Sequence, residues 1–126
     1  MHWQISNDAP IYAQLIEQIT VNIVSGGVPP GGRLPSVREL AAEAGVNPNT
    51  MQRALAELER EGLVYSQRTA GRFVTDDTAI LQGAKRSLAR RHISRFLTAM
   101  EDLGYGKEEI MSLLGQEEER RYDLTV

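Results

Sequence analysis

The hydrophobic pattern of this chain is helical over most of its length. Ile11, Leu15, Ile19 and Ile23 recur at every fourth residue, with Ile16 beside them, and predict a first helix over about 11–25. Asp8 and Pro10 are start signals and Gly26-Gly27 is a stop. Val28-Pro29-Pro30-Gly31-Gly32-Arg33-Leu34-Pro35 then reads as a fixed loop. Ser36-Val37-Arg38-Glu39 has the spacing of a capping box, and the short helix it opens turns Val37, Leu40 and Ala41 inward before Gly45. Asn47-Pro48 opens a third helix, with Asn as N-cap and Pro at the first position, where a missing N–H costs nothing. It runs to about Glu61 and Gly62 closes it. Residues 63–67 and 72–75 read as short strands, with Arg68-Thr69-Ala70-Gly71 as the tip of their hairpin.

Past Asp77 the character changes. Residues 78–103 form one long helical pattern, read as a single stripe of Leu81, Ala84, Leu88, Ile93, Phe96, Leu97, Met100 and Leu103. Gly104-Tyr105-Gly106 turns the chain. A last helix starts near Lys107, with Ile110, Met111, Leu113 and Leu114 apolar, and the charged tail from about Glu117 is expected to fray. The start of the chain is expected to be flexible, with His2 inert.

The order helix, loop, helix, tight turn, helix, hairpin is that of a helix-turn-helix with a wing. The fold class is therefore mainly α with a small β-hairpin. A winged helix-turn-helix domain occupies 1–76 and a two-helix dimerisation hairpin 77–126. In such modules the second helix of the pair lays its N-terminal residues against base edges in the major groove. At about 100° per residue, Met51, Ala54, Leu55 and Leu58 share the core face of helix three. Asn47, Asn49, Thr50, Gln52 and Arg53 are left outside at its start. Amides, a hydroxyl and a guanidinium are the groups that bond base edges and phosphates.

The net charge of −3 argues against a nucleic-acid partner until the charge is localised. Residues 1–75 hold six Arg against seven Asp or Glu, close to balance. Yet Arg33, Arg38, Arg53, Arg68 and Arg72 sit on the loop, helices two and three and the wing, the elements that would face DNA. The competing readings are bland. Arg38 could pair with Glu39 or Glu43, Asn47 could only cap, and Arg68 and Arg72 could only keep the hairpin soluble.

Several separated blocks, in order and spacing, are similar to one family. They are Pro10-Ile11-Tyr12, Pro30-Gly31, Arg33 to Ala41, Asn47-Pro48-Asn49-Thr50, Gln52-Arg53-Ala54, Glu57-Leu58-Glu59 and Glu61-Gly62-Leu63. Together they resemble the winged helix of GntR-type bacterial transcription regulators over about 10–75, and the short helical tail resembles the YtrA-type subfamily. The resemblance implies a DNA-binding set of Arg33, Ser36, Arg38, Asn47, Asn49, Thr50, Gln52, Arg53, Arg68, Gly71 and Arg72. The wing departs from the family's R-G-x-G-T-F-V. Thr69 stands for the first Gly and Arg72 for the Thr. The resemblance also implies a repressor, often of an ABC-type transporter operon beside its own gene.

Two helices cannot bury their own stripes completely, so a second copy of the chain is the expected cover. Its interface would use Leu81, Leu88, His92, Phe96, Met100, Ile110, Leu113 and Leu114. The partners expected are double-stranded operator DNA, arranged as an inverted repeat, a homodimer mate and an unidentified small-molecule effector. Lys85, Arg86, Arg90, Arg91 and Arg95 form a basic run on helix four that meets solvent, a partner's acidic residues or phosphate. With no cysteine and two isolated histidines, no metal site and no cofactor are expected. No acid, base and nucleophile converge in the sequence, so an enzyme is not expected. A winged helix used to dock protein remains the rival class. No membrane span or export signal is read, and the expected compartment is the cytoplasm.

Overall fold

A computed structural model describes residues 1–123. The element order is α1 (Ile11–Val24), α2 (Val37–Ala44), α3 (Pro48–Arg60), β1 (Val64–Gln67), β2 (Gly71–Val74), α4 (Thr78–Asp102) and α5 (Lys107–Asp123). Residue contacts divide the chain into two compact units, Met1–Leu88 and a second that begins at Ala89. The first three turns of α4 therefore belong with the winged helix. Among the described residues no helix is long and apolar enough to cross a membrane.

Local chemistry sets the helix ends. The Ser36 hydroxyl accepts from the Glu39 amide at 3.1 Å, and Gly45 stops α2 in the left-handed region at φ 69. Asn47 Oδ1 accepts from the Asn49 amide at 2.7 Å, with Pro48 in the first turn of α3. The core of the first unit joins Leu15, Ile19 and Ile23 of α1 to Leu40 and Ala41 of α2. Met51, Ala54, Leu55 and Leu58 of α3 complete it together with Leu63, Val64 and Val74 of the hairpin. Each fully buried Leu or Val in such a core contributes about 1.5–3 kcal/mol of transfer free energy. The core face drawn on the α3 wheel is thus the face the fold buries.

The hairpin pairs Val64 with Val74, Tyr65 with Phe73, Ser66 with Arg72 and Gln67 with Gly71. The loop before α2 runs beside β2 as a further edge. Leu34 N–H donates to the Arg72 carbonyl at 2.9 Å and Val74 N–H to the Gly32 carbonyl at 2.8 Å. The prolines and glycines that mark a loop in sequence thus hold a short extended segment against the wing.

The chain's start is ordered, contrary to the flexibility expected around His2. Gln18 bonds both backbone groups of Gln4, and Gln14 bonds those of Ser6, at 2.8–2.9 Å. The alternation then turns Met1, Trp3 and Ile5 onto the core and leaves His2 and Gln4 exposed. Two side-chain amides act here as a strand partner, a device that no hydrophobic period reveals.

Helix α4 carries two apolar faces instead of the single stripe expected. Ile80, Leu81 and Ala84 pack on the winged-helix core and Leu88 is buried. In the second unit Ile93, Phe96, Leu97 and Leu103 are exposed. The two sets are centred about 140° apart around a helix of 3.6 residues per turn. Helix α5 continues through Glu117 to Asp123, past the point where fraying was expected. The remainder of that tail, 124–126, lies outside the described residues. Glu108 and Glu109 in its first turn and Arg120 and Arg121 in its last complement the helix dipole, which favours continuation.

Candidate nucleic-acid interface

The first turns of α3 present Asn47, Asn49, Gln52 and Arg53 exposed and Thr50 half-buried, opposite the buried Met51, Ala54, Leu55 and Leu58. The Asn47 carbonyl is spent on the cap, so its amide NH₂ is what remains to donate outward. The Ser36 oxygen is likewise engaged as an acceptor, and its O–H stays available to a phosphate.

The Arg53 guanidinium lies over the Tyr12 ring of α1, 4.9 Å from its centroid. A cation held against an aromatic face at this distance gains about 0.5–1 kcal/mol when exposed. In the sequence Tyr12 stands out only as part of the Pro10-Ile11-Tyr12 block. Its role as a shelf for Arg53 depends on α1 crossing α3, which no local pattern announces. Arg38 is exposed on α2 and makes no ion pair among the described residues, so the competing pairing with Glu39 or Glu43 is absent there.

The wing tip is tight. Thr69 adopts φ 55 and Gly71 φ 109. A left-handed threonine is uncommon because its branched side chain crowds the backbone. Its hydroxyl donates to the Arg68 carbonyl at 2.7 Å. Gly71 is needed for φ. A Cβ there would stand 3.0 Å from Arg33 Nε, so the Arg33 side chain reaches the tip of the wing. Arg33 and the exposed Arg68 are thereby gathered on one hairpin from two distant parts of the sequence.

Arg72 is engaged within the chain. Its Nε donates to Glu59 Oε1 on α3 at 3.0 Å, and its side chain is 18% exposed. The Ser66 hydroxyl donates to the same carboxylate oxygen. The hydrogen bond from Ser66 and the charge and hydrogen bond of Arg72 together outweigh desolvation and hold the Glu59 carboxyl below its ordinary range.

The side chains expected at a dimer interface are placed unevenly. Leu88 and Ile110 are already buried within one chain, so these two are not free for a partner, and Leu81 is half-buried against the winged-helix core. His92, Phe96 and Leu114 are exposed, and Met100 and Leu113 half-buried. Ile93, Leu97, Leu103 and Met111, outside the expected set, are exposed as well. Among the described residues no three His, Asp or Glu side chains come together as metal ligands do.

Residues 11–74 match the family model described as bacterial regulatory proteins, gntR family. The chain belongs to the GntR family. It is 40% identical over 108 residues to the HTH-type transcriptional regulator YhcF of Bacillus subtilis (strain 168), covering 86% of this chain and 89% of that one. It is 36% identical to the HTH-type transcriptional repressor YtrA of the same strain, covering 72% and 71%. A GntR family transcriptional regulator from Listeria monocytogenes superposes with a TM-score of 0.80 at 36% identity, over 89% of this chain and 98% of that one. The DNA-binding domain of AraR, solved in complex with operator ORX1, superposes with a TM-score of 0.52 at 33% identity, over 60% and 92%. The winged helix and the YtrA-type relationship inferred from the sequence both hold.

Proposed function

We propose that this GntR-family protein is a dimeric, sequence-specific transcriptional repressor acting on operator DNA in the cytoplasm. The observation that carries the reading is the split of α3. One face is entirely inside the core, and the opposite face offers Asn47, Asn49, Thr50, Gln52 and Arg53 at the N-terminal end. Arg38 is exposed on α2, and the Arg33 side chain reaches the wing tip, which carries Arg68. This set contacts base edges in a major groove and phosphates beside it. AraR bound to its operator is a related domain caught with DNA.

The dimer reading rests on the second unit. Ile93, Phe96 and Leu97 of α4 and Met111 and Leu114 of α5 are exposed and apolar, and a second copy buries them in a two-fold interface. Such a dimer sets two recognition helices for an inverted repeat. The regulated operon encodes an ABC-type transporter beside the repressor's own gene, and a small effector releases the DNA. The rival reading, a winged helix that docks protein, calls for exposed aromatics or aliphatics on α3. That face carries amides and Arg53 instead.

The test is fluorescence anisotropy on DNA from upstream of the gene, against a scrambled duplex, over a salt series. Tight binding to the first alone, with a steep salt slope, is the expected result. Equal weak binding to both duplexes would favour the docking module.

A further inference from the structure

We propose that Glu59 is a positioning residue for DNA binding, one that locks the wing onto the recognition helix through Arg72 and Ser66. The inference rests on the DNA-binding reading above and gives a function to an acidic group on the helix that meets the DNA.

A two-stranded hairpin is marginal by itself in water, and each strand here has four residues. Its root is held by the Val64–Val74 pair, which is buried in the core. Side chains alternate between faces along a strand, so the next pair on that same face is Ser66 with Arg72. Both side chains of this outer pair end on one acceptor, Glu59 Oε1. The core thus fixes the inner half of the wing. At the outer pair the Leu34 N–H holds the Arg72 backbone from the outer edge of β2, and one carboxylate ties both side chains to α3.

The lever is long enough for this to matter. Four residues of antiparallel strand span about 13 Å. A swing of about 10° at the root then displaces the tip by about 2 Å, more than the spread of a hydrogen-bond length. Arg68 sits at that tip, and the Arg33 side chain lies beside Gly71 there. The charge argument points the same way. A carboxylate on the DNA-binding helix repels phosphate, and Arg72 spends its charge neutralising it. Arg72 therefore supports the geometry of the wing and adds no phosphate contact of its own.

Two variants of the full chain test this. Glu59→Ala is expected to weaken operator binding about tenfold. It should also remove hydroxyl-radical protection in the minor groove under the wing and keep major-groove methylation protection at the recognition helix. In the free protein, amide exchange at residues 67–72 should rise about tenfold, with the α3 amides unchanged. Tighter operator binding with unchanged wing exchange would overturn the proposal, because it would mean that Glu59 merely restrains a DNA-contacting Arg72. Arg72→Thr is expected to lower affinity at constant salt slope, and a slope reduced by about one would identify a lost phosphate contact and equally overturn it. A wild-type protein that ignores the operator is a failure of the DNA reading. A wild type that binds, beside a Glu59→Ala variant unchanged in affinity, footprint and exchange, is a failure of this one.

Discussion

Arg38 separates recognition from stability most cleanly. It is exposed and makes no ion pair among the described residues, so its removal costs the fold little. Arg38→Ala should weaken operator binding by about 1–3 kcal/mol. Its thermal midpoint should stay near that of the wild type, which calorimetry checks. Thr69 offers the opposite case, a residue whose cost is borne by the fold. At φ 55 it occupies a region worth about 1–2 kcal/mol of strain for a side-chain-bearing residue. Glycine is free there but loses more entropy on folding, so Thr69→Gly should stabilise by about 0.5–1 kcal/mol in urea unfolding. Glu59 adds a pH dependence whose sign is fixed. Its carboxyl is more acidic in the folded chain, through Ser66 first and Arg72 after it, so it stabilises the fold above the ordinary carboxylate range. That contribution is lost as pH falls through the depressed value. Glu59→Gln should flatten the acid limb of the stability–pH curve, and an unchanged limb would place the linkage elsewhere.

At the scale of elements, what was legible in the sequence depended on whether the cause was local. Capping is local. Ser36 with Glu39, Asn47 with Pro48, and Gly45 mark α2 and α3 because the residues that satisfy orphan amides lie within three positions of them. Asn47→Ala accordingly should cost about 0.5–2 kcal/mol of stability, read from the urea midpoint. The hairpin was legible for the same reason, since its turn residues Arg68 to Gly71 are contiguous between two short strands. Devices that join distant residues were invisible. Gln14 and Gln18 clasping the chain's start, Tyr12 under Arg53, and Glu59 bracing Arg72 each require two elements to be brought together first. The single stripe read along α4 failed for a different reason. Leu81 and Leu88 serve one compact unit and Ile93 and Leu97 another, so a periodicity summed over 25 residues blends two faces.

The whole molecule joins a nearly neutral winged helix to a second unit whose apolar surface is left uncovered. Neutrality has a consequence for DNA binding. With seven acidic groups set against six arginines over residues 1–75, one domain gains little from its net field and must rely on the placement of its cations. Two domains tied together overcome this, because engagement of the first raises the effective concentration of the second at its half-site. In the proposed dimer the second unit supplies the means. Phe96 and Leu97 are 37% and 39% exposed on α4, beside Ile93 at 57%. A carboxylate placed among them cannot be buried without a partner and opposes association by several kcal/mol. If the proposed dimer forms through this face, Leu97→Glu should therefore convert it to a monomer in sedimentation equilibrium at micromolar concentration. The circular dichroism of the winged helix should be retained, since the core from Leu15 to Val74 does not include that face. Binding to a full inverted repeat should fall by at least tenfold, and binding to a single half-site should stay near the wild-type level. A variant that remains dimeric with full operator affinity would move the interface away from α4. Equal loss on half-site and full site would show instead that the substitution had damaged the DNA-binding unit.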